Sequence, residues 1–152
     1  MILSGQISDK AQSFTWEEVI YSKKAHSMGY SNIPTDEAVV NLQRLCEDYL
    51  QPLHDEFGEL TLRSCYRSPS VNRAVGGGPR SLHTKGLAAD MLCEDIFEAC
   101  RMMLFLGQKT PEGLPKFPFD ELYLSKEGKW LWVHLGINEA DKEPKMRASI
   151  SI

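Results

Sequence analysis

No stretch of this 152-residue chain approaches the length and apolarity of a membrane span. The opening residues, Met1-Ile2-Leu3-Ser4-Gly5-Gln6, lack a basic segment followed by an apolar run of about seven or more. No membrane partner and no export signal are expected on this pattern, and the chain reads as cytoplasmic when synthesised. Positive charge is not in excess either. Lys and Arg number 17 against 21 Asp and Glu, a formal charge of −4, which gives no surplus to neutralise phosphates and makes nucleic acid an unexpected partner. Cysteine is sparse: Cys46, Cys65, Cys93 and Cys100 show no Cys-x-x-Cys spacing, so a zinc knuckle or redox pair is excluded and buried, reduced thiols are expected. The glycine run Gly76-Gly77-Gly78-Pro79 is not followed by Gly-Lys-Ser/Thr and reads as a loop, not a phosphate cradle. There is no internal repeat and no low-complexity stretch.

What is there suffices for one globular domain over 1–152, with 42% hydrophobic residues. Thr15-Trp16-Glu17-Glu18 has the spacing of a capping box, and with Gly29 beyond Met28 it predicts one helix over about 16–28. From Asp36 onward Val39, Leu42, Cys46, Tyr49, Leu50, Leu53 and Phe57 recur at steps of three and four, the spacing of one face of a long helix closing near Gly58, with Pro52 placed to kink or shorten it. Strands are expected at Leu60 to Cys65 and Leu87 to Leu92, and a helix at Ile96 to Leu106. A hairpin of Phe119 to Leu124 with Trp130 to Leu135 should turn through Lys126-Glu127-Gly128-Lys129. A short helix reaching Val75 and a surface loop over 107–118 complete the pattern, and the charged tail after Ile137 shows none. Helices first and antiparallel strands later predict an α+β fold, a small central antiparallel sheet with N-terminal helices packed on it.

The most informative stretch is Ser81-Leu82-His83-Thr84-Lys85-Gly86-Leu87-Ala88-Ala89-Asp90. Gly86 lets the chain turn so that His83 comes back over Asp90, which emerges beside the small Ala88 on one strand face. Period-two alternation places Trp130, Trp132 and His134 on one face of a later strand and Leu131, Val133 and Leu135 on the core face. Two histidines and a carboxylate suit one Zn²⁺ per chain, held by His83, Asp90 and His134, with a fourth position left for water. Such a site lowers the pKa of water and polarises a carbonyl.

These residues carry a family likeness. Ser81, His83, Gly86, Ala88 and Asp90 match a Ser-x-His-x-x-Gly-x-Ala-x-Asp motif, followed by Trp132-Val133-His134 and preceded by Ser64-Cys65-Tyr66-Arg67, Asn72 and Val75-Gly76-Gly77. From about Phe14 to His134 the sequence resembles the D-Ala-D-Ala carboxypeptidase and dipeptidase family of zinc peptidases, whose fold is shared by hedgehog signalling domains. The resemblance implies a monomeric, endolysin-like metallopeptidase of peptidoglycan stem peptides, acting on D-Ala-D-Ala or on an L-Ala to D-amino-acid bond. Without a leader it would reach the cell wall by phage-type lysis, or trim dipeptides in the cytoplasm. It also implies that Arg67 binds substrate or stabilises charge on the attacked carbonyl, with Ser81, Trp132 and Tyr66 as substrate contacts.

The likeness departs from the family at the proton-transfer group. Relatives carry a carboxylate or histidine shortly before the last ligand, where Leu131 stands, or a glutamate after a Phe-Asp-x-Leu strand, whose place falls near Ser125. Glu127 is the nearest acidic substitute, with Asp120 and Glu121 behind it. A binding module that keeps the metal but does not hydrolyse is therefore the competing expectation, and a Cys-His hydrolase using Cys65 a third. His26 and His54 read as ordinary surface histidines near helix ends.

Overall fold

The computed structural model describes residues 3–152; Met1 and Ile2, the first two of the six residues on which the expectation of no export signal rests, lie outside them. Thr15 caps α1 (Trp16–Ile20) by accepting from the Glu18 N–H, as the capping spacing requires. The single helix expected over 16–28 is instead two. Tyr21 and Ser22 are extended, and the Ser22 hydroxyl caps α2 (Lys23–Met28) at the Ala25 N–H. A serine that can bond the backbone locally competes with helix continuation. Asn32 stabilises the break, donating to the Ile20 carbonyl at 2.7 Å.

Thr35 caps the long helical run: α3 (Asp36–Leu45), a π turn (Cys46–Leu50) and α4 (Gln51–Phe57). Pro52 has no N–H to donate, and the disturbance expected there takes the form of the widened turn just before it, where the Gln51 N–H reaches Cys46. Leu42, Cys46, Tyr49, Leu50 and Leu53 are buried along one face, as their spacing predicts, with Val39 and Phe57 of the same set partly buried and Leu45 buried beside them.

The sheet has five strands, β1 (Thr61–Ser64), β2 (Ala88–Cys93), β3 (Glu121–Glu127), β4 (Trp130–Gly136) and β5 (Arg147–Ser151), in the order β1-β2-β4-β3-β5. All neighbours are antiparallel except β3 and β5. The fold is thus α+β with a mostly antiparallel sheet, and β5 is the strand that the patternless tail concealed. The β3–β4 strands run further than expected: Glu127 pairs with Trp130 and the loop is Gly128-Lys129, with Gly128 at φ 59°. Glu127 therefore ends a strand and is not in the turn.

One face of the sheet is sealed. Ala89, Met91, Leu122, Leu124, Val133 and Leu135 pack into the core with the long helical run. Between β1 and β2 lie α5 (Pro69–Ala74) and a 3₁₀ turn (Leu82–Lys85). α6 (Ile96–Leu106), capped by Asp95, packs across β2, β3 and β4. Each fully buried Leu or Met contributes roughly 1.5–3 kcal/mol, so this face fixes the register that presents the opposite face. No helix among the described residues is long and apolar enough to cross a membrane.

Candidate metal centre and its cleft

Register builds the site. Asp90 of β2 lies directly opposite His134 of β4, which lies opposite Tyr123 of β3, so all three share the face away from the core. His83 arrives from the 3₁₀ turn. Gly86 closes that turn at φ 73°, and a Cβ there would sit 2.5 Å from the Ala38 carbonyl oxygen. Only glycine meets both demands, and it is what folds His83 over the strand.

His83, Asp90 and His134 bring one ligand atom each within 4.8 Å of one another. His83 is buried, and its Nδ1 lies 2.6 Å from the Cys65 carbonyl. A carbonyl only accepts, so Nδ1 carries the proton and Nε2 presents a lone pair. That Nε2 is buried, has no hydrogen-bond partner among the described residues, and lies 3.3 Å from Asp90 Oδ2. An orphaned acceptor held against a carboxylate is an arrangement a cation resolves. Two nitrogens and a carboxylate oxygen are a donor set suited to zinc.

His134 is held from both sides, its Nδ1 2.6 Å from Asp90 Oδ1 and its Nε2 3.0 Å from Glu121 Oε1, with the Tyr123 ring stacked on it at 5.6 Å. Burial alone would lower its pKa, but the two carboxylates outweigh that and raise it to about 9. Burial would raise the Asp90 carboxyl, yet His83 and His134 beside it hold it well below the usual carboxylate range.

Beside the centre opens a cleft of about 570 Å³, lined among others by Arg63, Ser64, Arg67, Gly77, Asp90 and Glu127, with Lys23 and Lys24 of α2 on its rim. Arg67 spans it. Its Nε donates to Ser64 Oγ at 3.0 Å and one terminal nitrogen to Asn72 Oδ1 at 2.9 Å, leaving the other 3.9 Å from Asp90 Oδ2. Asn72 is itself buried and donates to the Gly78 carbonyl. A Cβ on Gly77 would fall 2.0 Å from Asn72 Oδ1 and 2.9 Å from the Arg67 guanidinium. The glycine run read as a plain loop is therefore the backing of the Arg67 fork.

The other expected site residues separate. Trp132 is half-buried under the Arg63 guanidinium, 3.9 Å above its ring. Ser81 begins the His83 turn, accepting at its carbonyl from Thr84, and does not line the cleft. Tyr66, expected as a substrate contact, is a correction: its side chain is sealed in the core, past the end of β1 and next to the equally buried Cys65. Glu127 lines the cleft but is exposed and paired with Arg63 at 3.1 Å. Asp120 is tied to the Lys145 N–H, and Glu121 stands behind His134. Ser125 pairs with Trp132, one side-chain step from the His134 row on the same face, where a carboxylate was expected. Leu131 packs against the core.

All four cysteines are free, and burial pushes the Cys65 thiol far up, which leaves it no nucleophile for a Cys-His hydrolase. Sequence reading missed Asn72 as the Arg67 support, Arg63 as the partner of Trp132 and Glu127, and Glu121 as a neighbour of His134. Only cross-strand register could have exposed the last two.

No curated protein matches the chain. A family model described as Peptidase M15 matches residues 12–122, a span that holds His83 and Asp90 and stops short of His134. The third candidate ligand lies beyond that span and is brought to the other two by strand pairing, and with most of its length matched the chain belongs to the Peptidase M15 family of D-Ala-D-Ala carboxypeptidase and hedgehog-type zinc peptidases.

Proposed function

We propose that this protein is a zinc-dependent peptidase of peptidoglycan stem peptides, cleaving a D-Ala-D-Ala or an L-Ala to D-amino-acid bond. The observation that carries the reading is the convergence of His83, Asp90 and His134, with an orphaned His83 Nε2, beside a cleft that holds Arg67. A zinc ion held there supplies Lewis acidity that polarises the scissile carbonyl and makes water a stronger nucleophile near neutral pH. Arg67, pinned by Ser64 and Asn72, offers its remaining donors to a substrate carboxylate or to charge growing on the carbonyl oxygen. Lys23 and Lys24 add positive charge to a cleft that would receive acidic, D-amino-acid-bearing peptides. Arg63, stacked on Trp132, adds a further cation to the cleft wall. Glu127, the carboxylate lining the cleft other than Asp90, is the group assigned to proton exchange with water and the leaving amine, a role that requires it to leave Arg63 and move toward the His134 row. A monomer released to the wall by phage-type lysis fits this role.

The arrangement at Ser125 and Leu131 favours a second reading, a metal-holding module that binds cell-wall peptide without cleaving it. Elemental analysis combined with mass spectrometry of muropeptides, with and without chelator, separates the two. One zinc per chain with chelator-sensitive cleavage is expected. Zinc without cleavage favours the binding module, and no zinc after reconstitution overturns both.

A further inference from the structure

The two candidate metal-binding histidines differ in what backs them. The Nδ1–H of His83 rests on a neutral acceptor, the Cys65 carbonyl, while the far nitrogen of His134 rests on a carboxylate, Glu121 Oε1 at 3.0 Å. Glu121 does not drift there by side-chain freedom. It lies opposite Gly136 in the β3–β4 register, and a Cβ on Gly136 would fall 2.8 Å from Glu121 Oε1 and 3.3 Å from its Cβ. The same added carbon would meet Leu82 of the His83 turn at 2.7 Å. Gly136 therefore leaves the space into which the carboxylate folds against the ring.

We propose that Glu121 is a positioning residue for the metal centre: it accepts the Nε2–H of His134, and so locks the ring with the Nδ1 lone pair toward Asp90 and His83. This rests on the zinc reading of the site given above. A histidine whose outer N–H meets a carboxylate is a stronger donor through its other nitrogen, and its ring cannot rotate away. Charge agrees as well, since Asp90 and Glu121 together balance a divalent cation among neutral imidazoles. Glu121 faces the nitrogen turned away from Asp90, so its work is orientation and not proton transfer to water.

The test compares the wild type with Glu121→Ala and Glu121→Gln, each stripped of metal and titrated with zinc against a chromophoric chelator. Glu121→Ala should bind zinc about 10- to 100-fold more weakly. Glu121→Gln, whose amide oxygen still accepts, should recover most of that loss. Nitrogen-15 spectra of the zinc-loaded wild type add a readout that needs no variant: His134 should show a protonated Nε2 and a metal-shifted Nδ1. Equal zinc affinity in wild type and Glu121→Ala, or a metal-shifted Nε2 in the wild type, overturns the proposal while leaving the zinc site standing. A wild type that holds no zinc overturns both.

Discussion

The two ends of the β3–β4 hairpin share one face of one sheet and are built to different standards. At the inner end, Glu121, Tyr123, His134 and Gly136 interlock through register, stacking and hydrogen bonds. At the outer end, Ser125 stands where the family likeness calls for a carboxylate, and Glu127 is exposed and paired with Arg63. Glu127 stands four positions on from Tyr123, about 14 Å along a strand at roughly 3.4 Å per residue. The candidate metal ligands and the candidate proton-transfer carboxylate thus stand in separate rows of the sheet, and one row can be altered without the other.

The largest effect should come from attacking the inner end. His83→Ala and His134→Ala should each release most bound zinc while His26→Ala retains it, as measured by elemental analysis; equal zinc in all three would erase the distinction between the ends. Next comes the cleft between them. Arg67→Ala should keep zinc and lower kcat by about 10²- to 10³-fold. An unchanged kcat with a raised KM would make Arg67 a binding group only.

The outer end is probed in both directions. If Glu127 moves the proton, Glu127→Gln should keep zinc and reduce turnover by about 10²-fold. Ser125→Glu, which places a carboxylate one side-chain step from the His134 row, should raise turnover; a fall would mean that the serine is itself fitted to substrate. Assays of the two variants on one muropeptide panel decide between them.

The smallest expected effect concerns the metal-free protein. The His134 pKa is raised from the ordinary 6.5 to about 9, so its protonated form stabilises the fold fully below pH 6.5 and loses that contribution as pH climbs through 9. Asp90 works in the opposite sense, its depressed pKa giving a contribution present above its ordinary 3.8 and lost in acid. Thermal unfolding in chelator should therefore show Tm falling from about pH 6.5 toward 9, and His134→Gln should flatten that fall. A fall of the same size in His134→Gln would assign it to other groups.

Legibility in the sequence followed the range of the interaction. α6 runs over the residues expected because Asp95 and Gly107 bracket it locally, and the long helical run follows its apolar spacing. The metal triad was legible because alternation on two strands and one glycine turn suffice to aim three side chains. The break at Tyr21 and Ser22 was not, since neither glycine nor proline marks it and the serine cap works only once Asn32 arrives from beyond the helix. β5 was concealed because Arg147–Ser151 is exposed along its length and its pairing partner, β3, lies far back in the chain. Tyr66 was misread because it is a motif neighbour of Arg67 that lies past the end of β1, where period-two alternation no longer assigns its face.

Asp90 and His134 face each other across β2 and β4 although they stand 44 positions apart in the chain, and His83 is placed by a turn that must dock on α3. Closing so long a loop is slow and entropically costly. The three candidate ligands therefore converge only once the hairpin has docked in register. A slip of one residue would bury His134 and expose Val133, so the three side chains meet in one strand alignment and no other.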